Sequence, residues 1–125
     1  MGYSSIASFL LMLAVGLGAF GAHGLKSHLD AYSLGVWEKA VFYHFIHALG
    51  LLIVTMMARV GMLADQTAAR VSQLLILGIL LFSGSLYLLA VRGVTTLGAV
   101  TPLGGLAFIA AWLLLTIQLA RGNRK

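Results

Sequence analysis

The sequence has no cysteine and very few charged residues. Of its 125 residues, 3 are acidic and 8 are Lys or Arg, so 9% of the chain is charged. Without cysteine the chain forms no disulfide bond and no metal site built on thiolates. Soluble globular chains are about a quarter charged, and a domain this small cannot bury an apolar fraction of 61%. The composition therefore indicates a membrane protein.

The Lys, Arg, Asp and Glu residues all lie outside four long apolar blocks. The blocks cover residues 4–23, 40–58, 72–91 and 102–120. As a helix, each block would span about 30 Å, which is the thickness of the hydrocarbon core. Because backbone groups in lipid must be satisfied within the segment, each block is predicted to be helical. The predicted fold class is all-α: a polytopic membrane protein with one four-transmembrane-helix bundle over residues 1–125.

The segments around the blocks carry further signals. The first basic side chain, Lys26, follows the first block, so this block is interpreted as a retained span and not a signal peptide. The segment Leu25–Glu38 is amphipathic, and it is either a short interfacial helix between helices 1 and 2 or an ordinary loop. Thr101 and Pro102 suit a helix start; alternatively the fourth helix begins near Leu97 and is kinked at Pro102.

The distribution of Lys and Arg favours one orientation in the membrane. Both termini and the loop at 59–71 lie on one side of a four-span protein. That side carries five basic residues and the opposite side three, so we expect both termini to be cytoplasmic. The five are Arg59, Arg70, Arg121, Arg124 and Lys125, and the three are Lys26, Lys39 and Arg92.

The net charge of +5 predicts contact with anionic lipid headgroups. No basic residues cluster with aromatic ones, so nucleic acid is not expected as a partner.

Glycine is frequent and recurs at helical spacing. In helix one, Gly18 and Gly21 share a face, whereas Gly16, Ala19 and His23 lie on roughly the opposite face. Small residues let membrane helices approach closely, so two such faces predict that helix one packs against neighbours on both sides. The glycines predicted to form packing contacts are Gly18, Gly21, Gly84, Gly104 and Gly105.

Three histidines are the main candidates for a functional site. His23 ends the first block, and His44 and His47 lie near the start of the second, so all three are expected near one membrane face. Imidazole ligates metals and haem and relays protons, and polar residues in a membrane are often functional. The structural alternative is a histidine that only hydrogen-bonds a carbonyl, a tyrosine or water. No Cys or carboxylate reinforces the group, so no metal site is predicted, and haem or metal at His23 and His47 is the minor alternative.

Catalytic signatures are missing. The blocks contain no Asp or Glu, which argues against a four-helix proton-coupled exporter with a carboxylate in its first helix. The sequence has no P-loop, HExxH or GxSxG motif. We therefore predict no catalytic residues and no enzyme.

Four motifs together resemble one family in order and spacing. They are GAFGAHGLKSHL, WEKAVFYHFIHALGLL, LFSGSLYLLAVRG and LGAVTPLGGLAFIAAW. The family is domain of unknown function 423, the YgdD-like small inner-membrane proteins, whose eukaryotic relative is transmembrane protein 256. The resemblance covers about Ala14 to Trp112 and implies a multi-pass protein of the bacterial inner (plasma) membrane, with four transmembrane helices and no established activity. His23 and His47 match its motifs, whereas His44 stands where the family often has Gln, and Lys39 where a small or hydroxyl residue is usual.

Three classes of function are consistent with these features. The favoured class is a non-enzymatic membrane protein that packs with itself, as a homo-oligomer, or with a larger membrane complex. The second is an oligomeric carrier or channel for a small solute or lipid, because four helices alone enclose little space. The third is a haem or metal protein that uses His23 and His47.

Overall fold

The computed structural model describes residues 2–122, in which the apolar blocks form long helices. The α-helices are α1 (Tyr3–His23), α2 (Ala31–Arg59), α3 (Asp65–Gly78), α4 (Gly84–Arg92) and α5 (Thr101–Gly122). A π-helical turn, Ile79–Ser83, joins α3 to α4, and a 3-10 helix, Thr95–Ala99, precedes α5. Four helical segments are long and apolar enough to cross a membrane: α1, α2, Asp65–Arg92 and Thr95–Gly122. The prediction of an all-α polytopic bundle is confirmed.

The helices pack in the order α1, α2, α3–α4 and α5. Helix α2 lies between α1 and α3–α4, and α5 packs on α3 and the π-helical turn. The largest fully buried side chains, Leu51, Leu75, Val54 and Val71, come from α2 and α3. Lipid tails are as apolar as these side chains, so close packing, not exclusion of water, holds the core together.

The segment Leu25–Glu38 does not form a separate interfacial helix. Residues 24–29 form turns, and the remainder is the first two turns of α2, which begins at Ala31 rather than near residue 40. The reason is the cap: Ser33 N donates to the Asp30 carboxylate at 2.7 Å, which starts the helix there. The apolar side of the segment packs inside the protein, where Leu25 and Trp37 are buried with Ala90.

The junctions of the last two spans follow local chemistry. Helix α4 ends at Gly93, whose φ of 65° is in the left-handed region that favours glycine. Helix α5 begins at Thr101, so Pro102 lies in its first turn, where a missing N–H costs no helical hydrogen bond. The preceding residues form the 3-10 helix, which replaces the alternative of one helix kinked at Pro102.

The two ends of the bundle carry different loops. At one end, the loop at Gly61 and Met62 lies beside Gln118 and Arg121 of α5, and Gln73 donates to the Tyr3 hydroxyl at 3.0 Å. The start of α1, the turn between α2 and α3 and the end of α5 therefore share one end. The turn after α1 and the start of α5 lie at the other.

Candidate functional site

His44 is buried inside the bundle. It is the fourteenth residue of α2 and 3% exposed. Its Nδ1 is 2.8 Å from the hydroxyl of Tyr87 on α4. The carbonyl of Leu10 on α1 faces the ring, yet within residues 2–122 Nε2 makes no hydrogen bond. His44 thus links α2 to α4 through one nitrogen and buries the other.

His47 lies one turn deeper, in a stack of aromatic rings. Its ring is 7% exposed and lies 3.5 Å from the Phe108 ring, centroid to centroid, with an angle of 13° between the planes. Nδ1 is 2.7 Å from the carbonyl oxygen of Tyr43. A carbonyl only accepts, so Nδ1 donates and the neutral ring keeps its lone pair on Nε2. Both the stacking and the hydrogen bond are contacts of a packed core residue.

The structure does not bring His23 to the other two histidines. Helices α1 and α2 are antiparallel, with Gly21 beside Trp37, so His23 lies level with about residue 35 of α2. His47 is about 12 residues farther along, which is about 18 Å at 1.5 Å per residue. His23 is also exposed, whereas His47 faces α5. His23 therefore does not lie within reach of His44 or His47 in the same chain, because it is level with the first turns of α2, before the apolar block.

This separation bears on the haem or metal alternative. A ligand held jointly by His23 and His47 does not fit within one chain. Among residues 2–122 there is no group of three His, Asp or Glu side chains that could hold a metal ion. His47 Nε2 is the lone pair that a ligand would have to reach, and the ring that carries it is stacked on Phe108 and lies near Trp112.

Of the predicted packing glycines, three lie at tight contacts between helices. A methyl group added at Gly21 would lie 2.5 Å from Cδ1 of Trp37, and one at Gly18 would lie 3.3 Å from Val41. At Gly104 it would collide with the backbone of Phe82. Gly84 and Gly105 have looser surroundings, with nearest atoms 4.0 and 3.9 Å away.

Two further tight glycines, Gly50 and Gly78, are not among the predicted ones. Trp112 lies over Gly50 and Phe108 over Gly78. With Trp37 over Gly21, three pairs of helices meet where a ring covers a glycine. The sequence contains both the glycines and the aromatic residues, but it does not show which of them meet. Each glycine packs against an aromatic residue at the same depth on another helix.

Two of the buried hydroxyl groups form hydrogen bonds between helical segments. Ser83, the last residue of the π-helical turn, donates to the Ala40 carbonyl of α2 at 2.7 Å. The Ser85 hydroxyl lies 2.6 Å from that of Thr101, which ties α4 to the start of α5. Ser72 Oγ is buried without a partner among the described residues. Hydroxyl contacts of this kind join membrane helices.

A lipid-facing groove of about 350 Å³ runs between α1 and α2 near the turn that joins them. Its floor includes Gly18, Gly21 and Ala22, and its far wall includes Val41 and Phe45. Glu38 lines its outer end. This groove was not predicted from the sequence, because Glu38 was placed before the second helix, whereas it lies on α2.

These features define a small polytopic α-helical membrane protein. The model of a family described as "Protein of unknown function (DUF423)" matches residues 17–105, and the chain belongs to that family, as its motifs predicted. It is 47% identical to a UPF0382 membrane protein of Staphylococcus haemolyticus, with 90% of each chain covered. It is 49% identical to UPF0382 membrane protein YwdK of Bacillus subtilis, with 85% of each chain covered. No solved structure matches the chain.

Proposed function

We propose that the protein is a non-enzymatic interaction subunit of the plasma membrane. In this proposal α1 docks its outer face against a transmembrane helix of a partner, either a second copy of the chain or a component of a larger membrane complex. The outer face is defined here as Phe9, Met12, Gly16, Ala19 and His23. Membership of a family of membrane proteins supports the location in a membrane.

The observation that carries the proposal is the poor burial of α1 by its own chain. In its most apolar stretch 17% of residues are buried, against 39% in α2 and in α3–α4. Gly16 and Ala19 are both exposed, and an added methyl group at Gly16 would meet nothing. Lipid tails cover large apolar side chains equally well, so small residues are of use there only for close approach by another helix.

The buried polar groups support the non-enzymatic part of the proposal. A catalytic site needs a nucleophile, a base and a place for substrate within reach of one another. Ser83 is engaged with a carbonyl of α2, and His47 is held by Tyr43 and stacked on Phe108. The one buried imidazole beside a hydroxyl among the described residues is His44, whose partner is the Tyr87 phenol in the packed core, so these contacts stabilise the bundle.

Charge supports the orientation with both termini in the cytoplasm. Arg59, Arg70 and Arg121 lie at the end of the bundle that holds the termini, and positive residues favour the cytoplasmic side. Single cysteines placed at Met62 and at Ser27 would test this in intact cells. Modification by a membrane-impermeant thiol reagent is expected at Ser27 only, and modification at Met62 alone would reverse the orientation.

The lack of native cysteine makes disulfide crosslinking a clean test of partner docking. Ala19→Cys places one thiol on the outer face, and Ile109→Cys is the control, since Ile109 is 64% exposed on α5. In native membranes under mild oxidation, Ala19→Cys is expected to form a covalent homodimer or a crosslink to another membrane protein. An Ala19→Cys protein that stays monomeric, or that crosslinks no more than Ile109→Cys, would contradict the proposal.

A further inference from the structure

The groove between α1 and α2 has an uneven lining. At its outer end it is lined by Glu38 and the edge of Trp37, and deeper by Val41, Phe42 and Phe45. From residue 38 to residue 45 the groove descends about 10 Å along α2. Its volume of about 350 Å³ is within the range of small-molecule sites. One end is therefore charged and the rest is apolar.

Glu38 differs from the other two acidic residues of the chain. Asp30 caps α2 by accepting a hydrogen bond from Ser33 N. Asp65 is in the first turn of α3, where a negative charge is stabilised by the helix dipole. Glu38 is in the third turn of α2, exposed, and has neither role. A carboxylate at the rim of a lipid-facing groove has a free-energy cost unless a cation pairs with it.

The position of Glu38 along α2 matches the headgroup level of a bilayer. Helix α2 has 29 residues, or about 43 Å, which exceeds the hydrocarbon thickness of about 30 Å. Its uncharged stretch runs from residue 40 to 58, between Lys39 and Arg59. Glu38 and Lys39 therefore lie where the hydrocarbon ends, and Phe42 and Phe45 lie within it. The groove therefore matches one phospholipid in depth. Its charged end lies at the level of the headgroup, and its apolar part lies at the level of the acyl chain.

We propose that this groove binds one phospholipid with an ethanolamine headgroup. Its acyl chain lies between α1 and α2 along Gly18 and Ala22, and its ammonium group pairs with Glu38. Lys39, the next residue and also exposed, supplies a positive charge at the level of the lipid phosphate. A phosphatidylglycerol headgroup has no cation for Glu38, so charge complementarity selects the aminolipid.

The groove is held open by a rigid contact and not by loose packing. Trp37 Nε1 donates to the Leu17 carbonyl at 2.9 Å, and its ring occupies the space over Gly21. This fixes the spacing of α1 and α2 at the outer end. Gly18 and Ala22, which are one turn apart, leave the space beside it unfilled. The groove lies away from the outer face of α1, so lipid binding does not depend on partner docking.

The test uses the full chain in nanodiscs or mild detergent with defined lipids. Native mass spectrometry measures retention of phosphatidylethanolamine against phosphatidylglycerol of the same acyl chains. A partly exposed ion pair contributes up to about 1 kcal/mol, so the wild type is expected to prefer the aminolipid about fivefold. Glu38→Gln is expected to bring this ratio to about one, whereas Asp65→Asn, which removes the same charge elsewhere, leaves it unchanged.

A second pair of variants tests the apolar part of the groove. Ala22→Leu fills it from an exposed position in its lining, and it is expected to lower retention of both lipids. Ala110→Leu makes the same change at an exposed position of α5 outside the groove and is expected to leave retention unchanged. Equal retention of the two lipids by the wild type, an unchanged ratio in Glu38→Gln, or undiminished binding by Ala22→Leu would each overturn the proposal.

Discussion

The inner and outer faces of α1 have similar small residues and opposite surroundings. On the inner face Ala7, Ala14 and Gly21 are buried against the rest of the bundle. On the outer face Gly16 and Ala19 are exposed. Composition and spacing do not distinguish the two faces. The difference is the ring of Trp37, which lies over Gly21 and has no counterpart over Gly16.

The same difference separates the glycines of the whole molecule into two sets. At Gly50, Gly78 and Gly104 an added methyl group would collide with a side chain or the backbone of another helix, whereas at Gly105 and Gly84 its nearest neighbours would be 3.9 and 4.0 Å away. A glycine in the first set has a packing role that alanine cannot fill. A glycine in the second set gives up helix propensity, about 1 kcal/mol relative to alanine, although an alanine would fit there without a clash.

The largest expected effect comes from the neighbouring pair Gly104 and Gly105. A methyl group in Gly104→Ala would collide with the backbone of Phe82, which cannot rotate away, so we expect a loss of about 3 kcal/mol or more in the free energy of unfolding. In Gly105→Ala the methyl group would lie 3.9 Å from the Phe82 ring, and a gain of up to about 1 kcal/mol is expected. Unfolding by denaturant titration in bicelles measures both, and equal stabilities would remove the distinction between the two sets.

The second test applies directly to the two faces of α1. Gly21→Ala displaces the Trp37 indole and its hydrogen bond to Leu17, at a net cost of about 1–3 kcal/mol. Gly16→Ala meets nothing and is expected to gain about 0.5–1 kcal/mol. In a Trp112→Phe background, the fluorescence of Trp37 reports the local change, which is expected in the Gly21 variant only. A stabilised Gly21→Ala protein would show that the ring contact is not tight.

The third test compares a buried histidine, His47, with an exposed one, His23. Truncation in His47→Ala leaves a cavity beside Phe108 and removes the hydrogen bond to Tyr43, with an expected cost of about 2–4 kcal/mol. His23→Ala is at an exposed helix end and is expected to change stability by less than about 0.5 kcal/mol. The same unfolding titration measures both. A large effect of His23→Ala would indicate that a partner or ligand covers it in the sample.

The fold was predictable because the bilayer imposes one length on every span. Four apolar blocks of about 20 residues leave few alternatives to a four-helix bundle, and the blocks fall within the observed helices. The close approaches at Gly18, Gly21 and Gly104 follow the same logic, since close approach is the main source of helix association in lipid, whereas Gly105 beside Gly104 has looser surroundings.

The depth of the histidines was not predictable from hydropathy. Hydropathy marks where a helix enters lipid, not where it begins, and Asp30 starts α2 well outside the apolar block. Because α1 and α2 are antiparallel with Gly21 beside Trp37, His23 is level with the first turns of α2, and His44 and His47 lie about two to three turns farther along. The π-helical turn at Ile79–Ser83 and the rings over Gly50 and Gly78 depend on contacts between distant segments, which a single sequence does not display.

The smallest expected effect is at the N-terminus of α2, the helix that covers the inner face of α1 and leaves the outer face bare. The Ser33 backbone N–H holds the pKa of the exposed Asp30 carboxyl below its ordinary value of 3.8. A lowered folded-state pKa means that the cap stabilises the helix above that ordinary value and is lost as pH falls through the lower folded value. Amide exchange at Ser33 and Leu34 is therefore expected to be faster in Asp30→Ala at neutral pH. In the wild type, protection of these amides relative to Asp30→Ala should disappear only below about pH 4.

Exchange at Gly16 and Ala19 should stay the same in both proteins, because the first turn of α2 does not contact the outer face. A coupled change there would mean that the two faces of α1 are less independent than their surroundings indicate.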